Sequence, residues 1–300
     1  MPNKSKYGPA QQMLKEQLEP VARWLTHATN VGTDGNHESV HKLRVATRRA
    51  SVALRVCRKL LEKSGYERLR VFLRRVRQAA NATRDLDVLI ASLVDGTRTI
   101  SGGAKQEKHH AVLSKRFERH LRELRAGAQQ PIEALKHELE QAHFNREVNA
   151  LIKTARNSKK GGGEKEFEAL SAKAVSRAAS KFLKASEANL SRDSAIHQLR
   201  ICAKKLRYTL ELAGNSVDSK LSQTYISKTE ALQELLGAMH DHTVAIKSYL
   251  GWFHEAQGAE RAFLEGLLHG TLSARETLRR LFDVFWSKDE AKQIKQDFDL

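Results

Sequence analysis

The chain is predicted to be all-α. It carries only four prolines, it is rich in Ala, Leu, Arg and Glu, and apolar residues recur at i, i+3, i+4 and i+7 in almost every segment. Period-2 alternation, the mark of a half-buried strand, does not occur. Breaks in the helical pattern are expected at 31–35, 63–65, 95–103, 127–131, 157–163 and 214–218, and near Gly251 and Gly270, where glycine, proline and small polar residues gather. They delimit roughly nine or ten helices. The run Asn157-Ser158-Lys159-Lys160-Gly161-Gly162-Gly163 is the most linker-like segment. It divides the chain into a first helical half, 1–158, and a second, 164–300, joined by a linker at 159–163.

At 300 residues the chain can bury about three quarters of its unfolded surface and needs no metal or disulfide for stability. Cys57 and Cys202 are the only cysteines, and nothing in their spacing suggests a disulfide framework or zinc site, so a reducing compartment is expected. Residues 1–12 are polar and lack the apolar core of a signal peptide, and no stretch approaches the ~18 uncharged residues of a membrane span. A cytoplasmic protein with no membrane partner and no cofactor is the reading. The 52 Lys+Arg against 35 Asp+Glu give a net charge of +17, which predicts an anionic partner. Charge alone does not choose among nucleic acid, anionic membrane, acidic protein and polyphosphate.

The arrangement of the charges does more. Val40-His41-Lys42-Leu43-Arg44-Val45-Ala46-Thr47-Arg48-Arg49 matches Ile196-His197-Gln198-Leu199-Arg200-Ile201-Cys202-Ala203-Lys204-Lys205 at a shift of 197 − 41 = 156. The same shift places Arg84-Asp85 on His240-Asp241, 240 − 84 = 156, each followed by an apolar stretch. One offset held over this distance indicates an internal duplication.

The first helix of each repeat carries two adjoining stripes. Val40, Leu43, Thr47, Ala50, Leu54, Cys57 and Leu61 form a mostly apolar stripe that packs on neighbouring helices. His41, Arg44, Arg48, Ser51 and Arg55 form a second, rotated by about 100°. In the second half Ile196, Leu199, Ala203, Leu206 and Leu210 repeat the apolar stripe, while His197, Arg200, Lys204 and Arg207 repeat the basic one, which ends at Glu211. Asn36 or Asp34, and Ser191 or Asp193, are the candidate N-caps. Both histidines would then lie near helix starts, where free N–H groups and the dipole favour an anion. Arginine offers phosphate a bidentate fork, lysine a mobile point charge, and histidine a donor that titrates near neutrality.

These residues carry a resemblance to the CHAD domain, the conserved-histidine α-helical domain. The His-x-Leu-Arg helices at His41 and His197, and the dipeptides Arg84-Asp85 and His240-Asp241, are similar to that family's paired motifs. The resemblance covers essentially the whole chain, 1–300, as a single domain. It implies two four-helix bundles in pseudo-twofold relation, around a basic central groove or cavity that binds inorganic polyphosphate, and association with polyphosphate granules. Carried over residue by residue, the ligand role falls to His41, Arg44, Arg48, His197, Arg200 and Lys204, with Arg55 and Arg207 extending the same faces. Arg74 and Arg77, on the helix leading to Arg84, are further candidates. Asp85 and Asp241 are expected to pair with nearby arginines or to stabilise a helix end rather than act on a substrate, and a buried carboxylate among arginines would orient them for phosphate.

No catalytic or metal-ligating residue is assigned. His240-Asp241-His242 could suggest a metal-dependent phosphohydrolase, but the equivalent first-half position is Arg84, a poor metal ligand, and no second His/Asp cluster completes a site. A nonspecific nucleic-acid binder is the alternative function; aromatics are only 6% of the chain and no base-reading motif appears. Lys42, Arg49, Arg58, Lys205, the lysines at Lys59, Lys63 and Lys159-Lys160, and the charged run at 105–110 are read as solvated charge.

Overall fold

The structure, a computed structural model, describes residues 7–29, 36–100, 104–141, 144–155 and 162–299. Among these residues it is all-α, without strands. The helices are α1 (Pro9–Ala28), α2 (Asn36–Val56), α3 (Lys63–Thr99), α4 (Ala104–Gln141), α5 (Phe144–Thr154), α6 (Gly162–Ser186), α7 (Asp193–Ala213), α8 (Ser219–Phe253), α9 (Gly258–Phe285) and α10 (Lys288–Asp297). Short 3-10 turns at Cys57–Leu60 and Gly214–Ser216 follow α2 and α7. Successive helices pack on one another in the same order in each series, α1 on α2 on α3 on α4, then α6 on α7 on α8 on α9. A short helix, α5 or α10, closes each. None of the described helices is long and apolar enough to cross a membrane.

The apolar stripe read from the sequence of α2 is the seam of the first core: Val40, Leu43, Thr47, Ala50 and Cys57 are fully buried. Thr47 is tolerated there because its hydroxyl donates back to the carbonyls of Leu43 and Arg44, both at 3.0 Å. A second core joins α6, α7, the start of α8, Phe282 of α9 and Ile294 of α10. A third is shared by both series and is built from Leu89 and Leu93 of α3, Phe117 and Leu121 of α4, Tyr249 of α8 and Phe263 of α9. The long helices α3 and α8 thus each begin in their own core and end in the common one. Their middles, at Arg84-Asp85 and His240-Asp241, lie where one core gives way to the next.

Several expected breaks are absent. The pattern at 127–131 does not interrupt α4, which runs through Pro131. Proline costs a helix about 3 kcal/mol in isolation, but Ile132, Leu135 and Leu139 just beyond it are buried in the first core, and Thr83 donates a hydrogen bond to the Ala128 carbonyl at 3.0 Å. Gly270 likewise lies inside α9, and α3 runs through Asp95 and Gly96 to Thr99. Gly96 serves close packing there: a Cβ on it would meet Leu267 at 2.9 Å, whereas one on Gly270 would make only ordinary contact with Thr99 at 3.7 Å. The N-cap of α7 is Arg192, whose side chain does no capping, rather than Ser191 or Asp193. Asp193 is the first helical residue and accepts from Arg275. Of the linker at 159–163, residues 162 and 163 already belong to α6. Residues 159–161, the break at 31–35 and the cap candidate Asp34 lie outside the described residues, as does the side chain of Asn36.

Candidate functional site

Because the basic stripe of α2 is rotated only one residue from its buried seam, its members emerge at the edge of the core. Arg44 and Arg48 on α2, and Arg200 and Lys204 on α7, are half-buried, while His41 and His197 are more open. Since α2 packs on α7 and α3 on α8, the two stripes fall into one electrostatic neighbourhood. Burial lowers Arg44 to about 10, with Arg48, Arg84 and Arg200 adding to the effect and Asp85 opposing it. Arg200 is lowered by burial, then by Arg48, against Asp241 and Asp85. Lys204 shows the largest consequence: burial, then Arg200, Arg48 and Arg44, push it down to about 6.

The chemistry is that of a cation cluster short of counter-charge. The guanidinium Nε of Arg44 and that of Arg200, equivalent under the shift of 200 − 44 = 156, are both buried without a hydrogen-bond partner. A buried donor left unmet costs about 1–3 kcal/mol, and an anion seated between the helices would satisfy both. Asp85 and Asp241 face this cluster from α3 and α8, where Arg44 and Arg200 act on them, but neither forms a direct ion pair with an arginine among the described residues. Burial raises both, against the pull of Arg44 on Asp85 and of Arg200 on Asp241. They moderate the positive field without neutralising it.

Two residues that sequence reasoning left out of the ligand set belong here. Arg84 lowers His41, after burial, and acts on Arg44 and Asp241 as well. His240 stacks obliquely near His197, ring centroids 5.3 Å apart, and is driven to about 4 by burial, Arg200 and His197. The signal was available, since the shift that pairs Arg44 with Arg200 also pairs Arg84 with His240.

Other candidates are placed differently. Arg77 is half-buried and lowered by burial, then by Arg48, Arg55 and Arg74, so Arg55, Arg74 and Arg77 extend the cluster sideways. Arg207 does not join it. Its guanidinium is taken by Glu230 of α8 at 2.8 Å, which the stripe pattern on α7 did not set against it, and by Glu211, the stripe's own last member one turn on, at 3.6 Å. Arg49, read as solvated, instead reaches from α2 to Glu211 of α7 at 2.8 Å. Among the described residues no group of three His, Cys, Asp or Glu side chains is placed to hold a metal ion. His240, Asp241 and His242 are consecutive on α8 and so point to different sides of it.

The family model for the CHAD domain matches residues 16–249. Among solved structures, the crystal structure of the CHAD domain from the plant Ricinus communis is similar at a TM-score of 0.61 and 19% identity, covering 97% of this chain and 90% of that one. PptA from Streptomyces chartreusis is similar at a TM-score of 0.63 and 17% identity, covering 93% and 98%. At these identities the likeness is one of fold. No curated protein matches the sequence.

Proposed function

Because this chain belongs to the CHAD domain family, we propose that it binds inorganic polyphosphate in the basic groove between α2 and α7, without catalysing a reaction. The observation that carries this reading is the pair of buried, unpartnered Nε groups of Arg44 and Arg200 inside a single cation cluster. Single phosphates could be held by one helix start. A linear chain of phosphates is better matched to cations spaced at 3 and 4 residues along two helices, where each turn advances about 5.4 Å.

His41, Arg44, Arg48 and Arg84 line one side of the groove, and His197, Arg200, Lys204 and His240 the other. Asp85 and Asp241 hold the field below the level that would drive the helices apart. No carboxylate set arranged around a metal is needed for this role, whereas phosphoryl transfer would need one. Binding of this kind would place the protein at polyphosphate granules in the cytoplasm.

The test is a binding assay of the purified protein with polyphosphate of several lengths, DNA and orthophosphate at physiological salt. Long polyphosphate should displace DNA at matched phosphate concentration. Preference for DNA would overturn the reading in favour of a nucleic-acid binder.

A further inference from the structure

A second cationic feature lies beside the central cluster. The C-terminal end of α2, its 3-10 turn, and the α6–α7 pair enclose a cleft of about 600 Å³. Lys173, Arg177 and Lys181 line it from one face of α6, at successive intervals of four residues, with Arg55 and Lys59 opposite and Lys205 from α7. Not one of these six enters an ion pair among the described residues, whereas neighbours such as Arg49, Arg70 and Arg207 all do. The lining carboxylate, Glu67, is already engaged by Arg70 at 2.7 Å. Like charges gathered round a concavity without counter-charge repel one another, and the concavity concentrates the field. Such a wall is stabilised by an anion.

The cleft is continuous with the central cluster. Arg77 lies under the influence of Arg48 on one side and Arg55 on the other, and Lys205 under that of Arg55, Lys181 and Arg77. From Arg44 to Arg55 the path advances about 16 Å along α2, at roughly 1.5 Å per residue. The extension is also one-sided. The shift of 156 sets Glu211, Asn215 and Ser219 where the first half has Arg55, Lys59 and Lys63, and Glu211 is spent on Arg49 and Arg207. The cationic track that leaves the cluster at Arg55, Lys59 and Lys63 is therefore not repeated at the equivalent positions of the second half.

We infer that the α2–α6–α7 cleft is a second anion-binding site, which takes the continuation of a polyphosphate chain whose first part occupies the central cluster. The chain leaves the cluster in a single direction, over Arg77 and Arg55, and long chains bind more tightly than short ones because only they reach Lys59 and the α6 row. This rests on the polyphosphate reading of the central cluster.

The experiment compares tripolyphosphate with a long-chain polyphosphate, each titrated across salt concentrations against the full chain. Lys59→Ala, Lys173→Ala, Arg177→Ala and Lys181→Ala are combined in one variant; all four side chains are exposed, so the fold is not at stake. A charge-matched control combines Arg98→Ala, Arg122→Ala, Arg280→Ala and Lys292→Ala, exposed residues remote from the cleft. The cleft variant should bind tripolyphosphate as wild type does, while its long-chain affinity falls at least about tenfold and its salt slope drops by about 2–3, at roughly 0.7 per lost contact. The control should keep the long-chain affinity within about twofold. Unchanged long-chain affinity and slope in the cleft variant, or an equal loss in the control, would overturn the cleft assignment. The central reading survives those results if Arg44→Ala with Arg200→Ala still abolishes tripolyphosphate binding. Failure of the wild type to bind either length overturns both.

Discussion

Binding of polyphosphate at pH 7 is expected to draw close to one proton from solution, and Lys204 is where most of it lands. Burial comes first among the causes that bring this lysine down to about 6, followed by Arg200 on its own helix and Arg48 and Arg44 on α2, against Asp241 on α8. At pH 7 such a group is only about one-tenth protonated. Phosphate oxygens seated among the same residues favour the ammonium form, so complex formation takes up roughly nine-tenths of a proton. The sign follows: above pH 6 the complex holds more protons than the free protein, and affinity falls by up to about tenfold, ~1.4 kcal/mol, for each unit of rising pH. His41 and His197, both lowered by desolvation and then by Arg84 and Arg200 respectively, add a smaller uptake of the same sign. The assay is calorimetric titration at pH 7 in buffers of different ionisation enthalpy, where the slope of observed heat against buffer heat counts protons. Lys204→Arg, whose charge is fixed, should still bind but retain only the histidine share of that slope. A wild-type slope of zero, or an equal slope in the variant, would refute the reasoning.

Combined alanine substitution of Arg44, Arg48, Arg200 and Lys204 should weaken binding and reduce the salt slope by about 3, at roughly 0.7 per contact, while circular dichroism stays helical. Lys204→Met should stabilise the ligand-free protein by about 1–4 kcal/mol, since it removes a buried cation site. Its advantage over wild type should shrink as pH climbs from about 6 towards 10.5, the window in which the unfolded lysine binds the proton and the folded one does not; thermal melts across that range read this directly. Leu43→Ala, at a fully buried position, should cost about 2–5 kcal/mol in denaturant unfolding. Arg49→Ala breaks only a partly exposed bridge and should cost about 0.2–1 kcal/mol, a small shift in Tm.

Much of the fold was legible because its cause is local. The seam of α2 follows from periodicity, and Val40, Leu43 and Ala50 are buried as the spacing requires. The duplication needed only a constant shift, and it led from His41 and Arg44 to His197 and Arg200. What sequence alone did not yield depends on partners far along the chain. Pro131 and Gly96 read as breaks, because propensity knows nothing of Ile132 in a core or of how near Leu267 comes to Gly96. Arg207 and Arg49 were misread for one reason, that Glu230 and Glu211 reach them across helices. Lys59 was read as solvated charge and the α6 row, Lys173, Arg177 and Lys181, drew no reading at all, since only tertiary structure shows that they share a cleft whose lining carboxylate, Glu67, is engaged by Arg70.

The common core at the far ends of α3 and α8 makes the two helical series mutually dependent. A chain severed within 156–161 would leave Leu93 and Phe117 of one fragment, and Tyr249 and Phe263 of the other, facing water until they met. Each fragment alone should be sticky and poorly soluble, yet the pair, co-expressed, should reassemble and regain ligand capture together. Neither partner could recover it singly, because Arg44 and Arg200 reside on different pieces.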